Sequence, residues 1–379
     1  MSNILTDSFD IDIITTTAKD YLTWENVYPE GVFKISDSLR IIRFKAEFKR
    51  EPYWYELDKI ITKNIHLGIF EKLSSQEQKS FIQYTHKLPL GVGEEWIKYN
   101  GPYSPDLLQY LSENEDHYNY FIFMTYLFAT TYFGIDRIKN TEKIYFVPTY
   151  HNEPSAYLPN FLKYNMYHHL FLTNAEKNIA EQFIYSNSVK NNVIGFGIMD
   201  RLDEFSANFE NINGQYILYA GRLEEGKGLI NLFKMFETYS EENRFLKLFL
   251  IGEGNLKNYK HKNIIYKGFV SEKEKFSLMK NALAFVHPSA FESLGIVLLE
   301  SFMMGTPAIV NRKSDVLNEH IINSKAGYSY DNYDEFRDSL NQLIKDKDAY
   351  ETLSKNARDY FIQNYSIKAY KNRLLNIIR

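Results

Sequence analysis

The sequence predicts an α/β protein of two domains, each a doubly wound sheet covered by helices. Three observations predict it. The second half alternates short apolar runs ending in glycine with stretches of helical spacing, the pattern of parallel strands covered by helices on both faces. The first half repeats that alternation less regularly. A chain of 379 residues also exceeds one ordinary core and suits two.

In the second half, "QYILYAG" (215–221), "FLKLFLIGEG" (245–254), "NIIYKGFV" (263–270), "LAFVHPS" (283–289) and "PAIVN" (307–311) read as strands. "KGLINLFKMFETYS" (227–240) has helical spacing. "SEKEKFSLMKNA" (271–282) opens with a serine cap and carries Glu274 at the capping-box position. Another helix is expected to start near Ser293. In the first half, "DIDIITTT" (10–17), "YFIFM" (120–124), "KIYFVPT" (143–149) and "HLFLTN" (169–174) read as strands, and "EKNIAEQFI" (176–184) as a helix. The polar, non-periodic "DEFSANFENIN" (203–213) reads as a linker. The domains are therefore 1–202 and 214–365, with a terminal helix over 366–379.

Composition narrows the function. A net charge of −4 argues against nucleic acid as a partner, since phosphate binding usually leaves a basic excess. No apolar run reaches the eighteen or so residues of a membrane span. The start "MSNILTDSFDIDI" lacks the basic-then-apolar pattern of a secretion signal, and the chain has no cysteine. A cytoplasmic location is the simplest reading. "RIIRFKAEFKREPYWYELDK" (40–59) alternates bases and aromatics. Its aromatics are expected to pack inward; the competing reading rests it peripherally on an anionic membrane surface.

Open α/β sheets bind ligands at the carboxyl ends of their strands. There the second half places Gly221, Arg222, Lys227 and Gly228, then Gly252 and Gly254, then "AFESLG" at the start of the next helix. Two cations flanking a turn, with glycines that let a backbone come close, suit a diphosphate. A helix N-terminus adds an anion site, with Leu294 and Gly295 aiming N–H groups at a phosphate. Glu292 stands before that helix. Glu300 interrupts its apolar run, about 12 Å further along. A buried carboxylate needs a partner. Together these features describe a pocket for a nucleoside diphosphate bearing a polyol.

"YAGRLEEGKGL", "LIGEG" and "KGFVSEKEKFSLMKNALAFVHPSAFESLGIVLLESFMMGTPAIV" resemble the donor domain of retaining GT-B glycosyltransferases of family 4, across roughly 215–312. The hallmark is a pair of glutamates with seven residues between them, preceded by Pro-Ser and followed by Gly-Thr-Pro, here Glu292 and Glu300, and it implies two Rossmann-like domains that face each other across a cleft. The resemblance implies that Arg222 and Lys227 bind the donor diphosphate, with Gly221 and Gly252 in the adjoining turns. It implies that Leu294 and Gly295 give backbone contacts to phosphate and that Val270 lies near the base. Glu292 would contact the transferred sugar, and Glu300 would hold the nucleotide ribose as its partner.

The first half is similar to the acceptor domain of bacterial surface-polysaccharide enzymes in "TTAKDYLTWENVYPEGV" (16–32), "NGPYSPDLLQYL" (100–111) and "VPTYHNEPSAYLP" (147–159). His151, after a strand, is the candidate beside the sugar. By that pattern a first strand and a Gly-rich turn are expected ahead of "SNILTDSFDIDIITT".

The expected reaction is transfer of a sugar from a UDP- or GDP-sugar to a hydroxyl of a glycan or lipid-linked acceptor, with retained configuration. No cofactor beyond the nucleotide-sugar co-substrate and no metal is called for. Three alternatives stand beside it: an epimerase of the same fold, a metal-dependent transferase using Asp10 and Asp12, and a truncated subunit that binds nucleotide sugar without turning it over.

Overall fold

The computed structural model describes residues 5–20, 23–47, 52–65, 70, 73–183, 190–206 and 215–378. The chain divides into two compact units, Met1–Ile194 and Gly195–Arg379.

Among the described residues the first unit contains seven strands: β1 (Ile11–Thr16), β2 (Gly31–Ser36), β3 (Leu39–Phe44), β4 (Phe121–Met124), β5 (Ile144–Val147), β6 (His168–Phe171) and β7 (Asn191–Val193). They form two sheets. One has the order β1-β3-β2, with β1 parallel to β3 and the β2–β3 hairpin antiparallel; the other is the parallel set β4-β5-β6-β7. Both lean on one core. Ile14 and Phe44 of the smaller sheet pack on the cluster that holds Leu107, Leu108, Leu111, Phe121 and Phe146. The helix Pro105–Asn114 supplies those leucines. Its Ser104 cap accepts from the Leu107 N–H at 3.4 Å, and proline opens its first turn. Among the described residues β1 pairs only with β3 and β4 only with β5. Side chains bridge the two edges, the Tyr118 hydroxyl to Asp12 at 2.7 Å and Phe9 edge-on to Tyr120.

Among the described residues the strands of the second unit form one parallel six-stranded sheet: β8 (Tyr216–Ala220), β9 (Lys247–Ile251), β10 (Ile264–Gly268), β11 (Ala284–His287), β12 (Ala308–Asn311) and β13 (Gly327–Tyr330). The order β10-β9-β8-β11-β12-β13 is the doubly wound order, which reverses between β8 and β11. Central β8 and β11 are buried at every position, as expected where helices cover both faces. The helix Ile296–Met303 buries Leu298, Leu299, Phe302 and Met303 completely, each worth about 1.5–3 kcal/mol. It packs against the long helix Lys347–Asn364.

Several expectations need correction. The segment from Arg40 is not one amphipathic stretch. Its start is strand β3, paired with an exposed β2, and the helix Pro52–Thr62 follows; residues 48–51 lie outside the described residues. The expected linker begins as the short helix Leu202–Ser206, and its remainder lies outside the described residues. Asp12 is not disposed toward a metal: Arg40 meets both its oxygens, at 2.7 and 2.6 Å, beside Tyr118. Among the described residues no cluster of three histidine or acidic side chains is placed to hold a metal ion. No described helix is long and apolar enough to cross a membrane.

Candidate functional site

The strand ends of the second unit are stitched together through glycines. The Gly221 N–H donates to the Ile251 carbonyl and the Gly252 N–H to the Gly268 carbonyl, both at 3.0 Å. Gly252 has φ +125°, and a Cβ there would stand 2.0 Å from the Gly221 carbonyl oxygen. No other residue fits. Gly228, at φ +73°, would bring a Cβ to 2.3 Å from the Pro288 carbonyl oxygen. That approach seats the loop after β8 on the loop after β11, at the point where the strand order reverses.

The consequence is a shielded ion pair. Lys227 Nζ lies 2.6 Å from Glu292 Oε1, with side-chain exposures of 23% and 16%. His287, the last residue of β11, places Nε2 at 3.6 Å from the same oxygen. Burial would push the Glu292 carboxyl up; His287, Lys227 and the Ser289 hydroxyl outweigh it and hold the group below its ordinary range. Burial pushes the His287 ring down to about 4, so it is neutral at pH 7. Its Nδ1 is buried without a hydrogen-bond partner. Arg222, on the same loop, is exposed and meets Glu224 at 3.2 Å.

The helix beyond Glu292 starts later than its sequence suggests. Gly295 adopts the left-handed conformation, φ +70°, as the cap, and the helix runs Ile296–Met303. Glu292 and Leu294 therefore sit on the preceding loop. The free N–H groups of the first turn belong to Ile296 and its successors. Leu294 is buried, and its carbonyl accepts from His320 Nε2 at 2.8 Å. Because a carbonyl only accepts, Nε2 carries the proton, and Nδ1 accepts from the Tyr360 hydroxyl at 3.1 Å. His320 thus fixes the loop that delivers Glu292.

Glu300 also has a protein partner, contrary to the expectation that only a ligand would supply one. Lys275, on the helix Glu272–Asn281, reaches its Oε1 at 2.8 Å. That helix follows Phe269, which is 83% exposed, and Val270, and it is capped by Ser271, which accepts from the Glu274 N–H at 3.2 Å. Lys275 and His320 escaped sequence reasoning because each meets its partner across about 25 positions. The only signal available was an acid that needed a cation.

His151 lies in the first unit, half-buried on the loop after β5. Glu176 braces that loop. It is fully buried and accepts from the Tyr150 N–H at 2.9 Å and the Leu172 N–H at 2.7 Å. Burial raises its carboxyl to about 7, against the pull of backbone N–H donors. Beyond opening a helix, this residue ties two strand-end loops together. The Tyr126 hydroxyl donates to Glu153 on the same segment.

Two α/β units, the second a doubly wound parallel sheet with cations and acids at its strand ends, give the chain a GT-B fold. Residues 200–360, nearly all of the second unit, match the family described as glycosyl transferases group 1. CapM of Staphylococcus aureus, a capsular polysaccharide biosynthesis glycosyltransferase, is 23% identical over 208 residues, 48% of this chain and 54% of CapM. Sucrose-phosphate synthase of Thermosynechococcus elongatus superposes over 99% of this chain and 90% of its own, with TM-score 0.67 at 14% identity. A TarM variant of S. aureus, solved with fondaparinux, alpha-GlcNAc-glycerol and UDP, covers 72% of this chain and 59% of its own, with TM-score 0.54 at 16% identity. The chain spans about half the length of the first curated relatives it matches.

Proposed function

We propose that the protein transfers a glycosyl group from a nucleoside-diphosphate sugar to a hydroxyl of a glycan or lipid-linked acceptor, with retained anomeric configuration. The observation that carries this reading is the Lys227–Glu292 pair at the switch point of the sheet. A diphosphate competes with Glu292 for Lys227. On binding it takes the ammonium and frees the carboxylate for the hydroxyls of the sugar. Arg222, Lys227 and the first-turn N–H groups after Gly295 then stabilise the charge that builds on the leaving diphosphate. A leaving-phosphate oxygen accepts the acceptor's proton on the face it departs from, so no protein nucleophile is required. His151 is the first unit's candidate for contact with the transferred sugar.

The uridine nucleotide bound to TarM and the capsular role of CapM favour a UDP-sugar and a surface polysaccharide. With two cations at the diphosphate, the reading calls for no divalent metal, and EDTA is expected to leave transfer unchanged. The direct test follows nucleotide release from UDP- and GDP-sugars by the wild type and by Glu292→Gln. Release by the wild type, lowered at least about a hundredfold in the variant, supports the reading. Donor binding with neither transfer nor hydrolysis would instead make the chain a binding subunit.

A further inference from the structure

The Lys275–Glu300 pair stands apart from the Lys227–Glu292 pair and has no place in the chemistry above. The two side chains are 22% and 15% exposed, so solvent screens them only in part. Lys275 occupies the first turn of the helix Glu272–Asn281, where the positive end of the helix dipole disfavours a cation. Glu300 compensates that placement. The pair uses one carboxylate oxygen, Oε1; among the described residues no hydrogen bond engages Oε2. Ile296 and Glu300 lie one turn apart on the face of their helix that is not buried in the core. An ammonium carries three donors, and Glu300 takes one of them.

We propose that Lys275 is a positioning and specificity residue for the ribose of the donor nucleotide. The proposal rests on the reading that Glu300 faces that ribose. Lys275 fixes Oε1, so the carboxylate accepts one ribose hydroxyl through Oε2. A remaining Lys275 donor meets the oxygen of the other hydroxyl. A lone carboxylate would accept from both hydroxyls symmetrically. The lysine–glutamate pair instead divides the diol between an acceptor and a donor, and each hydroxyl then has its own protein partner.

The test is calorimetric binding of UDP, 2′-deoxy-UDP and 3′-deoxy-UDP to the full chain, with GDP as the control for the base. The variants are Lys275→Met, Lys275→Gln, Lys275→Arg, Glu300→Gln and Arg222→Ala. The wild type is expected to prefer UDP over each deoxy nucleotide by about tenfold, the worth of one hydrogen bond to a charged group. Lys275→Met is expected to weaken UDP by about tenfold and to abolish the discrimination against one of the two deoxy nucleotides while keeping it against the other. Lys275→Arg is expected to restore the discrimination, which a merely structural lysine would not require. Lys275→Gln, neutral but able to hydrogen-bond, gives the same comparison if the methionine variant does not fold. Arg222→Ala is expected to weaken all three nucleotides equally. If Glu300→Gln binds UDP like the wild type, the ribose reading of Glu300 fails, and the proposal with it. If Glu300→Gln weakens UDP while Lys275→Met and Lys275→Gln keep wild-type affinity and discrimination, the role of Lys275 alone is overturned.

Discussion

Glu292 is held between a cation at 2.6 Å and a neutral ring at 3.6 Å, and this geometry makes opposite demands on binding and on chemistry. Removing its charge frees Lys227 for a diphosphate but takes away the group that meets the sugar. Glu292→Gln is therefore expected to bind free UDP several-fold more tightly, by calorimetry, while transfer collapses; weaker UDP binding would contradict the competition. His287 gives a pH signature. An unfolded histidine protonates near 6.5, whereas this buried ring resists until about 4. Between those values the unfolded chain holds the extra proton. This contribution to stability is thus complete above pH 6.5 and is lost as the pH falls through about 4. The gap is worth about 3 kcal/mol, at about 1.4 kcal/mol per unit. Urea unfolding of His287→Gln at pH 7 and pH 4.5 is expected to show a smaller acid loss than the wild type. An equal loss in both proteins would remove His287 as the cause.

Among the elements, it is the turns at the strand ends that set the site. Gly252→Ala would force a Cβ to 2.0 Å from the Gly221 carbonyl oxygen at a φ that L-residues rarely adopt. It is expected to cost about 2 kcal/mol in urea unfolding and to weaken nucleotide binding, because the loop carrying Arg222 must move. In the first unit, Glu176 has the reverse pH behaviour of His287. Its carboxyl, raised to about 7, gives stability that is fully present below pH 4.5 and lost as the pH rises through 7. At pH 5 the carboxyl is protonated and the amide of Glu176→Gln is its near-isostere, so urea unfolding is expected to show little change at pH 5 and a smaller loss of stability than the wild type between pH 5 and pH 8; an equal loss in both proteins would remove Glu176 as the cause. The sequence made the elements of the second unit legible because each buried parallel strand is a continuous apolar run between helices, as in "YILYA" and "AFVH". The hairpin β2–β3 was not legible. Val32 and Ile35 on β2 are exposed, so no apolar alternation marks the strand. The start of the helix carrying Glu300 was misplaced for a local reason. Ser293 looks like a cap, but left-handed Gly295 begins the helix. Nor could spacing reveal Lys275 beside Glu300, since side chains on different helices meet only after folding.

At the scale of the whole molecule, the two units differ in how their sheets are built. The second closes its strands into one sheet and carries the family match; the first divides its strands between two sheets on one core. Recognition of the nucleotide, as proposed, draws on the second unit, through residues between Gly221 and Glu300. A nucleotide bound only by the native state stabilises what it binds, by about 2.7 kcal/mol at a hundred times its dissociation constant. The central claim is that these strand ends bind a nucleoside diphosphate through Arg222 and Lys227. Calorimetric titration of UDP and GDP into the wild type, Arg222→Ala and Lys227→Ala tests it most directly. The expected result is saturable binding of one nucleotide by the wild type, weakened at least about tenfold in each variant. Unchanged affinity in both variants would contradict it.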